Sequence, residues 1–160
     1  GQIPVMRHGD VALFETKAIA TYIDKAFPGA KFIPEDAAGA ARVEQWVSYG
    51  NAKVDRFIMR EFVVPQAFFD KAKGPDMAKV NAALPEIEKC CKVMDAEVAK
   101  SGYLAGSTLT YADMHVLPMI VTLQAFPLGK EIAPKYKNLM TYAAKLTERA
   151  SWKNTAPPPR

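Results

Sequence analysis

Two short apolar runs open the chain, and a helical period follows them. The runs occupy residues 3–6 and 11–14, and a turn-rich link at residues 8–10 separates them, a spacing that predicts an antiparallel β-hairpin. From Lys17 onward, apolar residues recur at steps of three and four until the Pro-Gly pair at 28–29, which predicts one helix. An isolated hairpin is at best marginal in water, so we expect further structure to precede this unit.

A second region is predicted to begin after residues 30–36, which show no sustained period and therefore indicate a linker. Beyond it the pattern is helical throughout. The apolar stripe of the first long helix runs from Val43 to Ile58, and Pro65 is expected to disturb or end that helix. The next helix is expected to be kinked, or to begin a new first turn, at Pro85. Its stripe is formed by Val80, Leu84, Ile87, Cys91, Met94 and Val98.

The sequence has a strong helix start at Thr110, where a capping box is predicted. The Thr110 hydroxyl can accept from the Asp113 amide while the Asp113 carboxylate accepts from the Thr110 amide. A last helix is predicted over residues 136–150, after which Trp152 and the prolines at 157–159 leave regular structure. The helix that begins at Thr110 is expected to cross the middle of the helical region with a stripe of Val116, Met119, Ile120 and Leu123.

Composition and charge exclude several classes of partner. Of the 160 residues, 49% are hydrophobic, and the net charge of +4 comes from bases scattered among acids, which argues against nucleic acid. The apolar stretches are far too short to span a bilayer, so no membrane partner is expected. Cys90 and Cys91 are neighbours without a metal-ligand or CxxC spacing, so no metal is predicted and a cytoplasmic location fits best. His8 lies in a turn and His115 has no evident carboxylate or nucleophile partner, so neither is assigned an acid–base role.

Three stretches together carry a family resemblance. The stretches are Gly1-Gln2-Ile3-Pro4-Val5, then Leu13-Phe14-Glu15-Thr16-Lys17-Ala18-Ile19 with Tyr22-Ile23, then Tyr103-Leu104-Ala105-Gly106 with Thr110-Tyr111-Ala112-Asp113. In this order and at these separations they resemble the signatures of glutathione transferases, and specifically the phi-like or bacterial type, whose proteins place a proline five residues after the capping aspartate, as Pro118 stands here. The resemblance covers nearly the whole chain.

The resemblance implies a mainly α fold, in which an all-helical C-terminal domain follows the β-hairpin and helix that end a thioredoxin-like α/β domain. Residues 1–29 would be the incomplete C-terminal part of that glutathione-binding domain, residues 30–36 the linker, and residues 37–160 the helical domain. Relative to the family, the sequence is thus expected to be truncated at its N-terminus. Two subunits usually associate in this family, so a homodimer is expected.

The resemblance also implies a glutathione site. Pro4 matches the family's cis-proline, and Ile3 matches the residue whose backbone pairs with the cysteinyl part of glutathione as an added strand would. Glu15 and Thr16 match the pair that holds the γ-glutamyl end, because an acid attracts its ammonium and a hydroxyl at a helix start helps to bind its carboxylate. Gln2 is expected to be a further polar contact.

The implied function is that of a detoxifying transferase with glutathione as co-substrate and no metal. It would join the glutathione thiolate to hydrophobic electrophiles or reduce peroxides with it. The family's catalytic hydroxyl or thiol lies upstream of the point where this sequence starts, so no catalytic residue is assigned and the chain alone is expected to be weakly active or inactive. The alternative is a non-catalytic docking or scaffold module of the same fold. The residues expected to line the electrophile pocket are Met59, Phe62, Val63 and Gln66. A plain hydrophobic core is the equal alternative for these residues, because apolar helical residues have the same pattern whether they contact a ligand or another helix.

Overall fold

The computed structural model describes residues 3–155, and its first element is the predicted hairpin. Strands β1 (Val5–His8) and β2 (Val11–Phe14) pair antiparallel, with Val5 opposite Phe14 and His8 opposite Val11. The loop therefore contains only Gly9 and Asp10, and Gly9 has the positive φ, 59°, that two-residue hairpin loops require. The hairpin is confirmed, although its first strand lies later than the apolar run at residues 3–6 because the pairing extends to His8.

Helix α1 (Thr16–Ala26) follows the hairpin directly and ends before the Pro-Gly pair, as predicted. None of its residues is buried within the described part of the chain. It packs on the hairpin through a small aromatic group, in which His8 Nδ1 lies 3.0 Å from the Tyr22 hydroxyl and the His8 ring lies 5.0 Å from that of Phe27. Residues 3–26 therefore form a thin layer that has little interior of its own.

The segment between residues 27 and 36 has no helix or strand, in agreement with the sequence. Two backbone groups of Phe32 hold it in place. The Phe32 amide donates to the Asp24 carboxylate at 2.6 Å, and the Phe32 carbonyl accepts from the Tyr111 amide at 2.9 Å. These bonds connect α1 to the first turn of a helix in the second region.

The first long helix has an unusual backbone. It begins as α2 (Ala37–Tyr49), continues as a π-helical segment (Gly50–Val63) and ends as α3 (Val64–Ala67). The π segment, which the sequence did not predict, has i→i+5 hydrogen bonds, and its ion pairs have the same spacing: Arg56 with Glu61 and Arg60 with Asp55, each at 3.0 Å. The predicted stripe is confirmed, since Val43, Val47, Gly50, Val54 and Ile58 are all buried.

Helix α4 (Met77–Ser101) continues through Pro85, so the expectation of a new first turn there was wrong. Proline removes one hydrogen bond inside a helix. Buried residues on both sides, including Val80 and Ile87, hold the two halves against the same core and favour an unbroken helix. Gly102 ends it in the left-handed conformation, with φ 82°.

Helix α5 (Tyr111–Leu123) begins with the predicted capping box and is buried along its predicted stripe. Asp113 is fully buried, and its carboxylate accepts four hydrogen bonds. They come from the Leu104 amide at 2.9 Å, the Thr110 amide at 2.8 Å, the Thr110 hydroxyl at 3.0 Å and the Tyr142 hydroxyl at 2.9 Å. The box thus joins the start of α5 to a loop and to a later helix.

The C-terminal part differs from the prediction of one helix over residues 136–150. Helix α6 (Pro127–Ile132) and a 3₁₀ turn (Ala133–Lys135) precede α7 (Lys137–Thr147), and α8 (Ala150–Thr155) follows a short break. Trp152 was expected outside regular structure but lies in α8, because its partly buried ring packs against the hydrophobic core. The prolines at 157–159 lie outside the described residues.

The core lies between the π segment, α4, α5 and α7, and its largest fully buried side chains include Phe62, Ile58, Ile87, Met94 and Ile120. The fold is thus a small N-terminal α/β part followed by an all-helical region, as expected. No single helix within residues 3–155 is long and apolar enough to cross a membrane. Together α5 and the segment Pro127–Lys135 have that length and composition, but they are bent by 107°.

Candidate functional site

Four of the five predicted glutathione contacts lie together at one end of the hairpin. Since Val5 pairs with Phe14, the residues just before β1 and just after β2 are neighbours. These are Ile3 and Pro4 on one side and Glu15 and Thr16 on the other. The Ile3–Pro4 peptide bond is cis, as the resemblance implies. Gln2 lies outside the described residues.

Glu15 has a backbone conformation that L-residues rarely adopt. Its φ is 70° and its ψ is 121°, and it is the one non-glycine residue with positive φ between residues 3 and 155. It is the N-cap of α1, and its carbonyl accepts the first bond of the helix, from the Ile19 amide at 3.1 Å. Such strain costs about 1–3 kcal/mol and is concentrated at functional sites in proteins. The conformation therefore marks this corner as a candidate site.

Thr16 is the first residue of α1, and the helix start offers unpaired donors. The Glu15 side chain makes no capping bond to the helix, and the first turn contains no acidic residue. Among the described residues the amides of the first turn therefore have no partner, and they carry the positive end of the helix dipole. A carboxylate beside Thr16 would gain from these amides and from the hydroxyl, and an ammonium would gain from the Glu15 carboxylate. The corner suits a zwitterionic amino-acid group.

The backbone at the start of the hairpin is open to a ligand. Ile3 is 94% exposed within the described residues, and it lies before β1, so the pairing of β1 with β2 does not use its amide or carbonyl. Main-chain groups of this kind can pair with an extended peptide. The Ile3 backbone is therefore accessible for the pairing that the resemblance implies.

The four expected electrophile contacts are less exposed than a pocket wall would require. Phe62 is fully buried, with its ring 5.8 Å from that of Phe126, and Val63 is also buried. Gln66 is partly buried and donates through Nε2 to the Phe62 carbonyl at 2.8 Å. Met59, also partly buried, is the side chain of the four best placed to contact a ligand without repacking of the core.

A polar pair at the start of the π segment was not predicted from the sequence. His115 on α5 lies with Nε2 2.9 Å from the Asn51 Oδ1 atom. Gly50 permits this approach, because a Cβ atom there would lie 2.9 Å from His115 Cδ2. Burial lowers the pKa of His115, while the nearby Asp55 raises it. The sequence gives no sign of this pair, because Asn51 and His115 are 64 residues apart and meet only where their two helices approach each other.

The buried cysteines do not form a reactive site. Burial raises the pKa of both thiols, that of Cys91 to about 12, so neither is a ready thiolate. Within residues 3–155, no three His, Cys, Asp or Glu side chains are grouped so that they could hold a metal ion. The polar corner at Glu15 and Thr16 therefore remains the best candidate site.

Comparison with known proteins decides the family. A family profile described as the glutathione S-transferase C-terminal domain matches residues 46–150, which is more than half of the chain. The chain belongs to the glutathione S-transferase family. The resemblance to its phi-like group is likewise confirmed.

The alignments with relatives cover most of this chain but a smaller share of each relative. Glutathione S-transferase F13 from Arabidopsis thaliana is 32% identical over 127 residues, which are 74% of this chain and 55% of that protein. Glutathione S-transferase 1 from Zea mays is 25% identical over 160 residues, 98% of this chain and 72% of the maize protein. A solved structure of glutathione S-transferase-I with lactoylglutathione bound superposes with a TM-score of 0.85 at 26% identity, covering 97% of this chain and 74% of that one.

Proposed function

We propose that this chain binds glutathione at the corner formed by Ile3, Pro4, Glu15 and Thr16, and that the protein transfers glutathione to hydrophobic electrophiles or reduces peroxides with it. The observation that carries the proposal is the positive φ of Glu15 directly before the free helix start at Thr16. The relatives named as glutathione S-transferases support it.

The proposed binding mode uses each group for one part of the tripeptide. The ammonium of the γ-glutamyl end lies near the Glu15 carboxylate, and its carboxylate lies near the Thr16 hydroxyl and the first amides of α1. The cysteinyl part pairs with the Ile3 backbone as an added strand. Gln2 adds a polar contact. In this binding mode the glutathione sulfur points from the hairpin toward the helical region.

The proposal keeps the domain division expected from the sequence. Residues 1–29 belong to a thioredoxin-like domain, residues 30–36 link the domains, and residues 37–160 form the helical domain, with a cytoplasmic homodimer as the working unit. No residue of this sequence is given the role of stabilising the thiolate. Attack by a bound thiolate depends on positioning and on donors aimed at the sulfur, so turnover by this chain alone is expected to be weak.

Titration calorimetry with glutathione tests the binding site directly. Glu15→Gly removes the carboxylate but accepts the positive φ, so we expect glutathione affinity to fall at least about tenfold while stability to urea is unchanged or raised. Thr16→Ala is expected to weaken binding by a smaller factor. Thr141→Ala, at an exposed threonine of α7, is the matched control and should bind as the unchanged chain does.

Each outcome of the titration has a meaning. Saturable binding that both site variants weaken supports the proposal. A folded chain that binds no glutathione, or one whose binding is indifferent to Glu15→Gly, contradicts it and favours the non-catalytic docking module of the same fold.

A further inference from the structure

The position of α1 on the helical region depends on few contacts, because α1 has no buried residue within the described chain. Near its end, the Asp24 carboxylate accepts from the Phe32 amide at 2.6 Å. Near its start, the Lys17 ammonium forms an ion pair with the Glu44 carboxylate of α2. A cavity of about 360 Å³ lies between α1 and α2, and both members of the ion pair line it. Within residues 3–155, this pair is the polar contact that joins the start of α1 to the helical region.

Lys17 also belongs to the turn that the proposed glutathione site uses. It follows Thr16 as the second residue of α1, so its backbone amide is one of those assigned to the γ-glutamyl carboxylate. Hydrogen bonds from backbone amides have a narrow range of lengths, about 2.7–3.2 Å between the heavy atoms. A small displacement of this first turn would therefore weaken several bonds to the ligand at once.

Glu44 is well placed to fix the turn, because its own helix is firmly packed. Its neighbours Val43 and Val47 are both buried in the hydrophobic core. The Ser48 hydroxyl, one turn further along α2, donates to Glu44 Oε1 at 3.2 Å, and Lys17 pairs with the other oxygen, Oε2. The carboxylate is therefore oriented by its own helix and presents its second oxygen to α1.

Two roles for this ion pair predict opposite effects on glutathione affinity. If the Lys17 ammonium contacted the γ-glutamyl carboxylate directly, Glu44 would compete with the ligand for it, and removing the charge of Glu44 would raise the affinity. If the pair instead holds the first turn of α1 in position, removing that charge lowers the affinity. The engagement of the ammonium by Glu44 favours the second role.

We infer that Glu44, acting through Lys17, is a positioning residue for glutathione, which holds the first turn of α1 where its amides meet the γ-glutamyl carboxylate. This inference rests on the proposed function, because it takes the corner at Glu15 and Thr16 as the binding site. Neither side chain of the ion pair contacts the ligand. The helical region thus contributes to glutathione affinity through a residue that lies outside the corner.

Calorimetric titration of glutathione into the whole chain tests the inference without any need for turnover. Glu44→Gln and Lys17→Met are each expected to lower the affinity by about two- to fivefold, the range of an exposed ion pair. The double variant should bind no more weakly than either single variant, because both substitutions remove the same interaction. Lys17→Arg retains the cation and should bind nearly as tightly as the unchanged chain.

Two controls separate this role from a general loss of structure or charge. Glu86→Gln makes the same change of charge at a carboxylate that pairs with Lys89 inside α4, and it should leave glutathione affinity unchanged. Added salt screens an exposed ion pair, so it should lower the affinity of the unchanged chain by a larger factor than that of Glu44→Gln. The urea midpoint of Glu44→Gln should match that of the unchanged chain.

The outcomes distinguish this inference from the proposed function. If the unchanged chain does not bind glutathione, the proposed function is wrong and the inference falls with it. If Glu15→Gly weakens binding but Glu44→Gln leaves it unchanged or strengthens it, only the inference is wrong. Additive losses in the double variant would also overturn it, because the two residues would then act separately. Weaker binding by Glu44→Gln, with Glu86→Gln unaffected, supports it.

Discussion

The hairpin with α1 and the helical region differ sharply in how they are held together. No residue of α1 is buried within the described chain, and Ile3 and Phe14 are largely exposed. In the helical region, by contrast, the core extends through the π segment, α4, α5 and α7, and even a carboxylate is fully buried there. The candidate glutathione contacts lie in the thinly packed part, and the residues that fix the fold lie in the other.

Within residues 3–155, the buried core lies in the helical region, and neither the hairpin nor α1 contributes a buried residue to it. The hairpin and α1 are joined to the helical region by partly exposed contacts, such as the ion pair of Lys17 with Glu44. Substitutions in the two regions should therefore have opposite consequences: loss of folding in the helices, and loss of binding with little loss of folding in the hairpin and α1.

The largest expected effect on stability is at Asp113. Asp113→Ala leaves four donors without their acceptor inside the core, so we expect the free energy of unfolding to fall by about 3–5 kcal/mol. Urea unfolding followed by circular dichroism measures it. Asp113→Asn, which keeps one oxygen acceptor, should lose less, and Glu131→Ala, at an exposed carboxylate, should change stability by under about 0.5 kcal/mol.

A smaller effect on stability is expected when the same substitution, isoleucine to alanine, is made once in each region. Ile120 on α5 is 0% exposed and Ile23 on α1 is 46% exposed. Ile120→Ala is expected to cost about 2–5 kcal/mol in urea unfolding, because it leaves a cavity in a closed core, whereas Ile23→Ala should cost under about 1 kcal/mol. Equal losses at the two positions would show that α1 is as deeply packed as α5, contrary to the comparison above.

The sequence predicted most of the fold because its signals are local. The stripe from Val43 to Ile58 and the capping box at Thr110 depend on residues within a turn or two of one another, and both are present in the structure. The π segment was missed because an apolar stripe with steps of three and four residues is the pattern of an ordinary α-helix. The sequence predicted the stripe of α4 but left open a kink or a new first turn at Pro85, because the effect of a proline depends on how its neighbours pack, which sequence alone does not reveal.

The candidate site, like the fold, was predicted only in part from the sequence. Pro4, Glu15 and Thr16 were found from a motif, and the hairpin register then brought them together. The positive φ of Glu15 could not have been predicted from residue type, since glutamate has no preference for that region. The pair of Asn51 and His115 depends on two helices that meet at Gly50. Contacts of this kind between distant parts of the sequence require the structure.

The smallest expected effect concerns the connection between the two regions. Lys17 and Glu44 join α1 to α2, and because both side chains are substantially exposed, Lys17→Ala should change global stability by under about 1 kcal/mol. Since α1 has no buried residue, we nevertheless expect its amides to lose protection from hydrogen exchange while those of α4 keep theirs. Lys89→Ala, which removes an ion pair with Glu86 inside α4, is the matched control and should leave exchange in α1 unchanged. If Lys17→Ala also left α1 protection unchanged, α1 would be held mainly by the aromatic contacts of Tyr22 and by the bond between Asp24 and Phe32, and the ion pair would be incidental.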